Sequence, residues 1–453
     1  MNICILNGSP KGQFSVTYQT VLFLEKKFPQ DCFETLHVGK QIKAFEKDFQ
    51  AARASLEKAD LILFCYPVYT FLVPSQLHRF IELMIESGMD FTGKKAAQLS
   101  TSKHFFDTTA HAFISDNCVD LGLDYLGGLS ADMEDLTHEK GQKEAVDFWN
   151  LIHFRAENNL VEDLPGIATK KTLNNPAKSE STDDATPEII ESKILANSKY
   201  TACVVTDLRP GDNELASLIK NFRDTFLGSV KIVNLRTIRM DGGCLGCLNC
   251  AITGKCVYKD GFDDFLRQEI QSCNAIVYAF TIKNHSMGAL MKKYDDRQFC
   301  NGHRTVTMGM PYAYLVNGDL SAESNLREVM DARAQVAENF LAGVALNQEQ
   351  VPALCKNLTY ALDNKLTLPS KFYGVGGMKI FRDLIWVMGG LMKADYKFYK
   401  KHGFFDFPQK KRGTKIAMIF LGAIVNNKKI KAKMGNAMTE GMLMPYKKVL
   451  KNL

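Results

Sequence analysis

The chain has 453 residues, 56 Lys and Arg against 50 Asp and Glu, 46% hydrophobic and 23% charged, a globular balance with room for two or three domains. That balance excludes a disordered chain, a collagen-like repeat and a small disulfide scaffold. The net charge of +6 is unevenly spread: residues 351–453 hold 18 Lys and 2 Arg against 4 Asp and 1 Glu, a net +15 that leaves −9 on the first 350.

At the start, an apolar strand from Ile3 to Leu6 runs into a Gly/Ser loop, Asn7 to Thr17, and then into a helix-period stretch from Tyr18 to Lys27. No basic region precedes an apolar stretch there, and no uninterrupted apolar run reaches about 18 residues, so the sequence reads as cytoplasmic. Further strands fit Phe33 to Val38, Leu61 to Cys65 and Ala96 to Ser100, with helices over Phe45 to Lys58, Pro74 to Glu86 and Gly141 to Arg155. Strands alternating with helices imply a parallel sheet covered on both faces.

Residues 161–198, rich in Ser, Thr, Asn, Asp and Pro, read as a linker. The alternation restarts with a strand from Tyr200 to Thr206, a helix from Glu214 to Phe226, a strand from Val230 to Leu235, a helix from Phe262 to Gln271 and a strand from Ala275 to Phe280. Leu61 to Leu83 lies without gaps on Ala275 to Arg297, setting Leu77 on Met291, Phe80 on Tyr294 and Glu82 on Asp296. The spacing predicts an internal duplication. The run Lys292 to Arg297 reads as a solvated helix face.

The expected organisation is a first domain over 1–160, a linker over 161–198, a second domain over 199–350 and a basic, mainly helical region over 351–453. In that last region the apolar run Ile416 to Val425 fits either a buried helix or, with the lysines behind it, an interfacial segment; Met434, Met438, Met442 and Met444 read as core. The basic balance fits an anionic partner or surface, and equally lysines that solvate helices.

A loop that leaves the first strand of a parallel sheet and opens a helix is an anion site, because unpaired N–H groups and the helix dipole converge there. Gly8 lets the backbone approach a phosphate, Ser9, Ser15 and Thr17 offer hydroxyls, and Lys11 adds charge. The loop has neither the G-x-G-x-x-G pattern nor a P-loop ending. Beyond the third strand, Tyr66 to Pro74 places two tyrosines and two prolines where a planar ring can stack, and Thr101 to Asp107 follows the fourth strand on the same rim.

These residues resemble the flavodoxin-like NAD(P)H-dependent FMN reductases, including the iron–sulfur flavoproteins. Gly8-Ser9-Pro10-Lys11 with Ser15 and Thr17 is similar to that family's phosphate loop, and Pro67-Val68-Tyr69 with Val73 to Leu77 is similar to its flavin-ring loop and following helix. The resemblance covers about residues 1–155 and, more weakly, 199–345. It implies two flavodoxin-like doubly wound domains in tandem, an α/β fold. It assigns the FMN phosphate to Ser9, Lys11, Ser15 and Thr17, and the flavin ring to Pro67, Val68, Tyr69, Thr101, Ser102, Lys103, His104 and Phe105. In the second copy Asp207, Asp212 and Glu214 occupy the first loop, and Thr281 and Lys283 replace Pro67 and Tyr69, so one flavin per chain is expected, in the first domain.

Four of the twelve cysteines, Cys244, Cys247, Cys250 and Cys256, form a C-x2-C-x2-C-x5-C run between the second and third strands of the second copy. Such compact spacing points to metal rather than disulfides and suits one [4Fe–4S] cluster; zinc and free thiols are the alternatives. The nine histidines include no metal-spaced pair. The preferred expectation is a flavoprotein oxidoreductase in which NAD(P)H reduces FMN and the reduced flavin serves a small acceptor, a redox protein or the cluster. Two rivals are a metal-free quinone or nitro-compound reductase and an electron carrier that docks through its basic tail on an acidic partner or an anionic membrane. A monomer whose two copies pair internally and a homodimer both fit.

Overall fold

The computed structural model describes residues 1–162 and 189–425. Its first half is a five-stranded parallel sheet: β1 (Asn2–Asn7), β2 (Cys32–Leu36), β3 (Leu61–Pro67), β4 (Lys95–Ser102) and β5 (Asp124–Asp132), in the order β2-β1-β3-β4-β5. The central strand explains the unbroken apolar run. Ile62, Phe64 and Tyr66 face one buried cluster while Leu61, Leu63 and Cys65 face another, so both sides of the sheet are core.

The second half repeats this plan with β6 (Thr201–Thr206), β7 (Ser229–Asn234), β8 (Ala275–Thr281), β9 (Tyr312–Asn317) and β10 (Leu341–Ala345), ordered β10-β9-β8-β6-β7. Counted within the copy, that is again second, first, third, fourth, fifth, the flavodoxin-like order. The duplication is legible residue by residue. The gapless alignment lays β3 on β8 end to end, and the Tyr69–Leu72 bridge on the Lys283–Ser286 bridge. It also lays the left-handed residues Thr70 and Phe71 (φ 44° and 71°) on Asn284 and His285 (φ 52° and 59°).

The two copies meet through the equivalent helices Ser75–Glu86 and Gly288–Arg297. The contact is reciprocal: Ser75 N donates to Asp296 Oδ2 at 2.7 Å, and Ala289 N donates to Glu82 Oε1 at 2.8 Å. Each helix start is thus capped by the acid of its mate, as in an isologous dimer. One hydrophobic cluster runs through both copies, containing Leu77 and Phe80 with Met291 and Tyr294. The solvated reading of Lys292 to Arg297 is therefore corrected. Lys292, Asp295, Asp296 and Arg297 are all buried: Lys292 and Asp296 pair with each other and reach Tyr69 O and Ser75 N of the other copy, while Asp295 and Arg297 pair within the second copy with Arg333 and Asp260.

Several sequence-drawn boundaries shift. Helix Asp107–Asp120 and strand β5 were not foreseen, and Phe45 to Lys58 divides into helices Val38–Lys47 and Gln50–Lys58. The second core continues past residue 350, since Val351, Leu354, Leu358 and Leu362 of helix Val351–Asn364 close it. Helix Phe372–Val387 packs on helix Ser324–Val336. One compact unit ends at Phe398 and a second begins at Tyr399. In the second unit the run Ile416 to Val425 lies in helix Arg412–Val425, and its large apolar side chains from Ile416 to Ile424 are exposed rather than buried. Most of the expected linker and the four tail methionines fall outside the described residues. Among the described residues no helix is long and apolar enough to cross a membrane.

Candidate functional site

The carboxyl ends of β1, β3 and β4 bring the three sequence-singled loops together. After β1, Ser9 N donates to Asn7 Oδ1 at 3.1 Å, Lys11 N to Ser9 Oγ at 3.3 Å, and Asn7 Nδ2 to Gly12 O at 3.0 Å, closing a compact loop with Gly12 at φ 57°. Helix Val16–Lys27 follows. Its N-cap Ser15 is buried, makes no side-chain capping bond, and has no acidic residue in the turn that follows. This leaves the first N–H groups of the helix facing the loop, which is the arrangement that receives an anion. Gly39 supports the loop from below, since a Cβ there would stand 2.3 Å from the Ser9 carbonyl carbon.

Thr17 Oγ1 is hydrogen-bonded to Thr101 Oγ1, and Val68 N donates to Thr101 O at 3.3 Å. Thr101 therefore ties helix Val16–Lys27 to the loops after β3 and β4. Beyond Pro67 and Val68 the chain turns tightly, with Tyr69 and Leu72 exchanging backbone bonds of 2.8 and 3.0 Å. After β4, Ser102 Oγ accepts from His104 N at 2.8 Å, and His104 Nδ1 lies 2.7 Å from Asp107 Oδ2. Two members of that loop are engaged elsewhere. Lys103 Nζ reaches Asp132 Oδ1 at 2.8 Å and Glu134 Oε1 at 3.3 Å, and Phe105 packs among Phe71, Phe106 and Phe381. Sequence reasoning missed Asn7, which braces the loop, and His111. Burial holds His111 down to about 4, hence neutral, and its Nε2 lies 2.8 Å from Ser100 Oγ at the end of β4.

The cysteine run lies against these first-domain loops although it belongs to the second copy. Gln76 Nε2 donates to Cys244 O at 3.3 Å. A Cβ on Gly246 would stand 1.9 Å from Tyr69 Oη and 3.5 Å from Lys11 Cε, so the backbone of the run touches both loops and needs glycine there (φ 61°). Lys292 Nζ, also from the second copy, donates to Tyr69 O at 2.9 Å.

Cys244, Cys247, Cys250 and Cys256 line one cavity together with Leu245, Leu248 and a fifth cysteine, Cys300, which lies outside the motif and so was not visible in the spacing. All five are free thiols. Burial pushes Cys244 up to about 12 and Cys250 up to about 11, so as bare thiols they stay protonated at neutral pH, whereas metal coordination would deprotonate them outright. Gly246 N donates to Cys244 Sγ at 3.4 Å, a bond that favours thiolate. Among the described residues no three His, Cys, Asp or Glu side chains are grouped to hold one metal ion. A mononuclear zinc needs its sulfurs about 2.3 Å from one point, while a four-iron cluster is larger and spreads its thiolates over separate irons. The structure gathers the four cysteines of the run and Cys300 on one cavity without forming a single metal point among the described residues.

The corresponding site of the second copy is filled by its own acid. Asp212, the counterpart of Ser15, accepts from Thr281 Oγ1 at 2.5 Å and from Asn317 Nδ2 at 3.3 Å, bridging the ends of β8 and β9. Glu214 follows in the first turn of its helix. A phosphate there would meet carboxylate instead of N–H and hydroxyl donors.

Residues 1–117 match the family described by a flavodoxin-like fold. The first domain is flavodoxin-like. An iron–sulfur flavoprotein from Archaeoglobus fulgidus is 26% identical over 175 residues, covering 36% of this chain and 79% of that protein. Among solved structures, an NAD(P)H:quinone oxidoreductase from Methanothermobacter marburgensis aligns with 36% of this chain and 98% of its own, at 12% identity and a TM-score of 0.28. An FMN-dependent NADH-azoreductase from Bacillus anthracis, in complex with FMN, aligns with 35% of this chain and 100% of its own, at 12% identity and a TM-score of 0.26.

Proposed function

We propose that the chain is an FMN-dependent NAD(P)H oxidoreductase with one flavin on the first domain and a [4Fe–4S] cluster on the cysteine run of the second. The observation that carries this reading is the seating of that run on the first domain's loops, through Gln76 and Cys244 and through Gly246 against Tyr69 and Lys11. The resemblance of the loops to an FMN phosphate and ring site, and the iron–sulfur flavoprotein relative, support it.

When bound, the flavin supplies hydride acceptance from NAD(P)H and the cluster supplies single-electron steps to a small acceptor or a redox protein. The chain's task is to hold and orient them. Ser9, Ser15 and Thr17, with the N–H groups at the start of helix Val16–Lys27, would bind the phosphate, and Lys11 would balance its charge. Pro67, Val68 and Tyr69, with Thr101, Ser102, Lys103, His104 and Phe105, would border the ring. Lys103 and Phe105 act there through the positions their partners fix, since both are engaged by neighbouring side chains. Cys244, Cys247, Cys250 and Cys256 would ligate the iron, with the exposed Leu245 and Leu248 at the rim of their cavity.

The test is an absorbance spectrum of anaerobically purified protein with FMN, iron and sulfide quantified on the same sample. About four irons per chain, one FMN, NAD(P)H oxidation and loss of the iron in Cys247→Ala are expected. Flavin without iron would leave a metal-free FMN reductase acting on quinones or nitro compounds, and absence of both would overturn the flavoprotein reading.

A further inference from the structure

The helix Arg412–Val425 carries six large apolar side chains on its surface: Ile416, Met418, Ile419, Phe420, Leu421 and Ile424 are between 47% and 68% exposed. At about 100° per residue they are spread around the helix and do not form one stripe. A groove on a protein would cover a single side of such a helix and leave the rest in water. The hydrocarbon of a bilayer would surround it. The apolar run Ile416 to Val425 is only ten residues long in the sequence, between Lys415 and Asn426-Asn427-Lys428; at about 1.5 Å per residue a helix of that run reaches about half of a hydrocarbon core, enough to enter one leaflet and too little to span both.

The charges around it name the lipid. Between Asp406 and Glu440 the sequence holds no acidic residue and eight basic ones. Lys410, Lys411, Arg412 and Lys415 precede or open the apolar run, and four lysines between 428 and 433 follow it. Cations that flank an apolar run on both sides in the sequence can keep their heads at the level of the headgroups while the run is buried, and they favour a negative surface.

We propose that helix Arg412–Val425 anchors the chain in one leaflet of an anionic phospholipid membrane. This is independent of the redox reading: it rests on the second unit alone and would bring whatever the first unit does to a membrane surface.

Flotation of the full chain with vesicles tests it. Binding is expected to vesicles of phosphatidylcholine with about 30% phosphatidylglycerol, and to fall about tenfold or more in pure phosphatidylcholine or at high salt. Ile419→Asp combined with Phe420→Asp should lower the partition coefficient about a hundredfold or more. Both positions are exposed, so the thermal unfolding of the remainder should stay unchanged. Equal partitioning of the double variant, binding indifferent to lipid charge, or no binding at low salt would overturn the proposal. So would concentration-dependent association of the chain, seen by light scattering, that leaves vesicles unbound, because it would assign the helix to a second copy.

Discussion

A single carboxylate in the second copy shows how burial writes a pH dependence into the molecule. Asp207 follows β6, and burial raises its carboxyl to about 6; Arg209 and Arg236 oppose this rise, while Asp212 and Glu82 add to it. In the unfolded chain the same group titrates at about 3.9. Between those values the native state binds a proton that the unfolded state does not, so this contribution is fully present below about pH 4 and is lost as pH rises through about 6. The upper bound is about 3 kcal/mol, about 1.4 kcal/mol for each unit between the two pKa values. Urea unfolding at pH 4.5 and 7.5 should therefore show a loss of stability on raising pH that Asp207→Asn largely abolishes. If the variant keeps the wild-type slope, the buried-acid account fails. Residues of this kind were legible as chemistry but not as environment: the sequence marks Asp207 as an acid in an anion loop, while Glu82, which raises its pKa further, comes from the other copy. The same holds for Gly246. It is a glycine inside a cysteine run until Tyr69 of the other copy is placed 1.9 Å from where its Cβ would be.

At the scale of elements, the readable parts were those whose pattern is local. The apolar runs of β1, β3, β6 and β8 and the loop after β1 stand out because strands buried on both faces have no polar alternation to disguise them. Helix Asp107–Asp120 did not, since polar Thr109, Ser115 and Asn117 lie on its buried side with Phe113 and Ile114 and blur the apolar stripe. β5 was hidden by its two glycines. The charged run of helix Gly288–Arg297 misled because its partners are distant in the chain: Lys292 and Asp296 reach Tyr69 and Ser75 of the other copy, more than 200 residues away, and Asp295 and Arg297 pair with Arg333 and Asp260, 38 and 37 residues away. Asp296 accepts from Ser75 N and Thr70 Oγ1 and pairs with the fully buried Lys292. Asp296→Ala strands a buried ammonium and should cost about 3–5 kcal/mol in chemical denaturation, whereas Lys292→Met with Asp296→Leu should recover much of that loss. A cost under about 1 kcal/mol for the single variant would mean that the charges are solvated after all.

At the scale of the whole chain, the two copies of one fold differ at the same place, the loop and helix start that follow the first strand. The first copy has Ser15 at the helix start, with no side-chain capping bond and no acid in the turn beyond it. The second copy has Asp212 and Glu214 there, and its carboxylate already bridges Thr281 and Asn317. The cysteine run of the second copy then lies on the loops of the first, with no equivalent run between β2 and β3 of the first copy to lie on the second. The asymmetry predicts one FMN per chain. Titration of flavin-free protein, followed by fluorescence quenching and calorimetry, should saturate at a single equivalent. Moving the acid of the second copy into the first tests the cause: Ser15→Asp places a carboxylate against the phosphate and should weaken FMN binding by about two orders of magnitude, as expected for like charges a few ångströms apart in a partly screened site. Because the N-cap position accepts aspartate readily, the folded state should be unaffected, and unchanged thermal unfolding would separate lost binding from lost structure. Two equivalents of flavin, or full affinity in Ser15→Asp, would show that the second copy still holds a working site or that the phosphate is bound elsewhere.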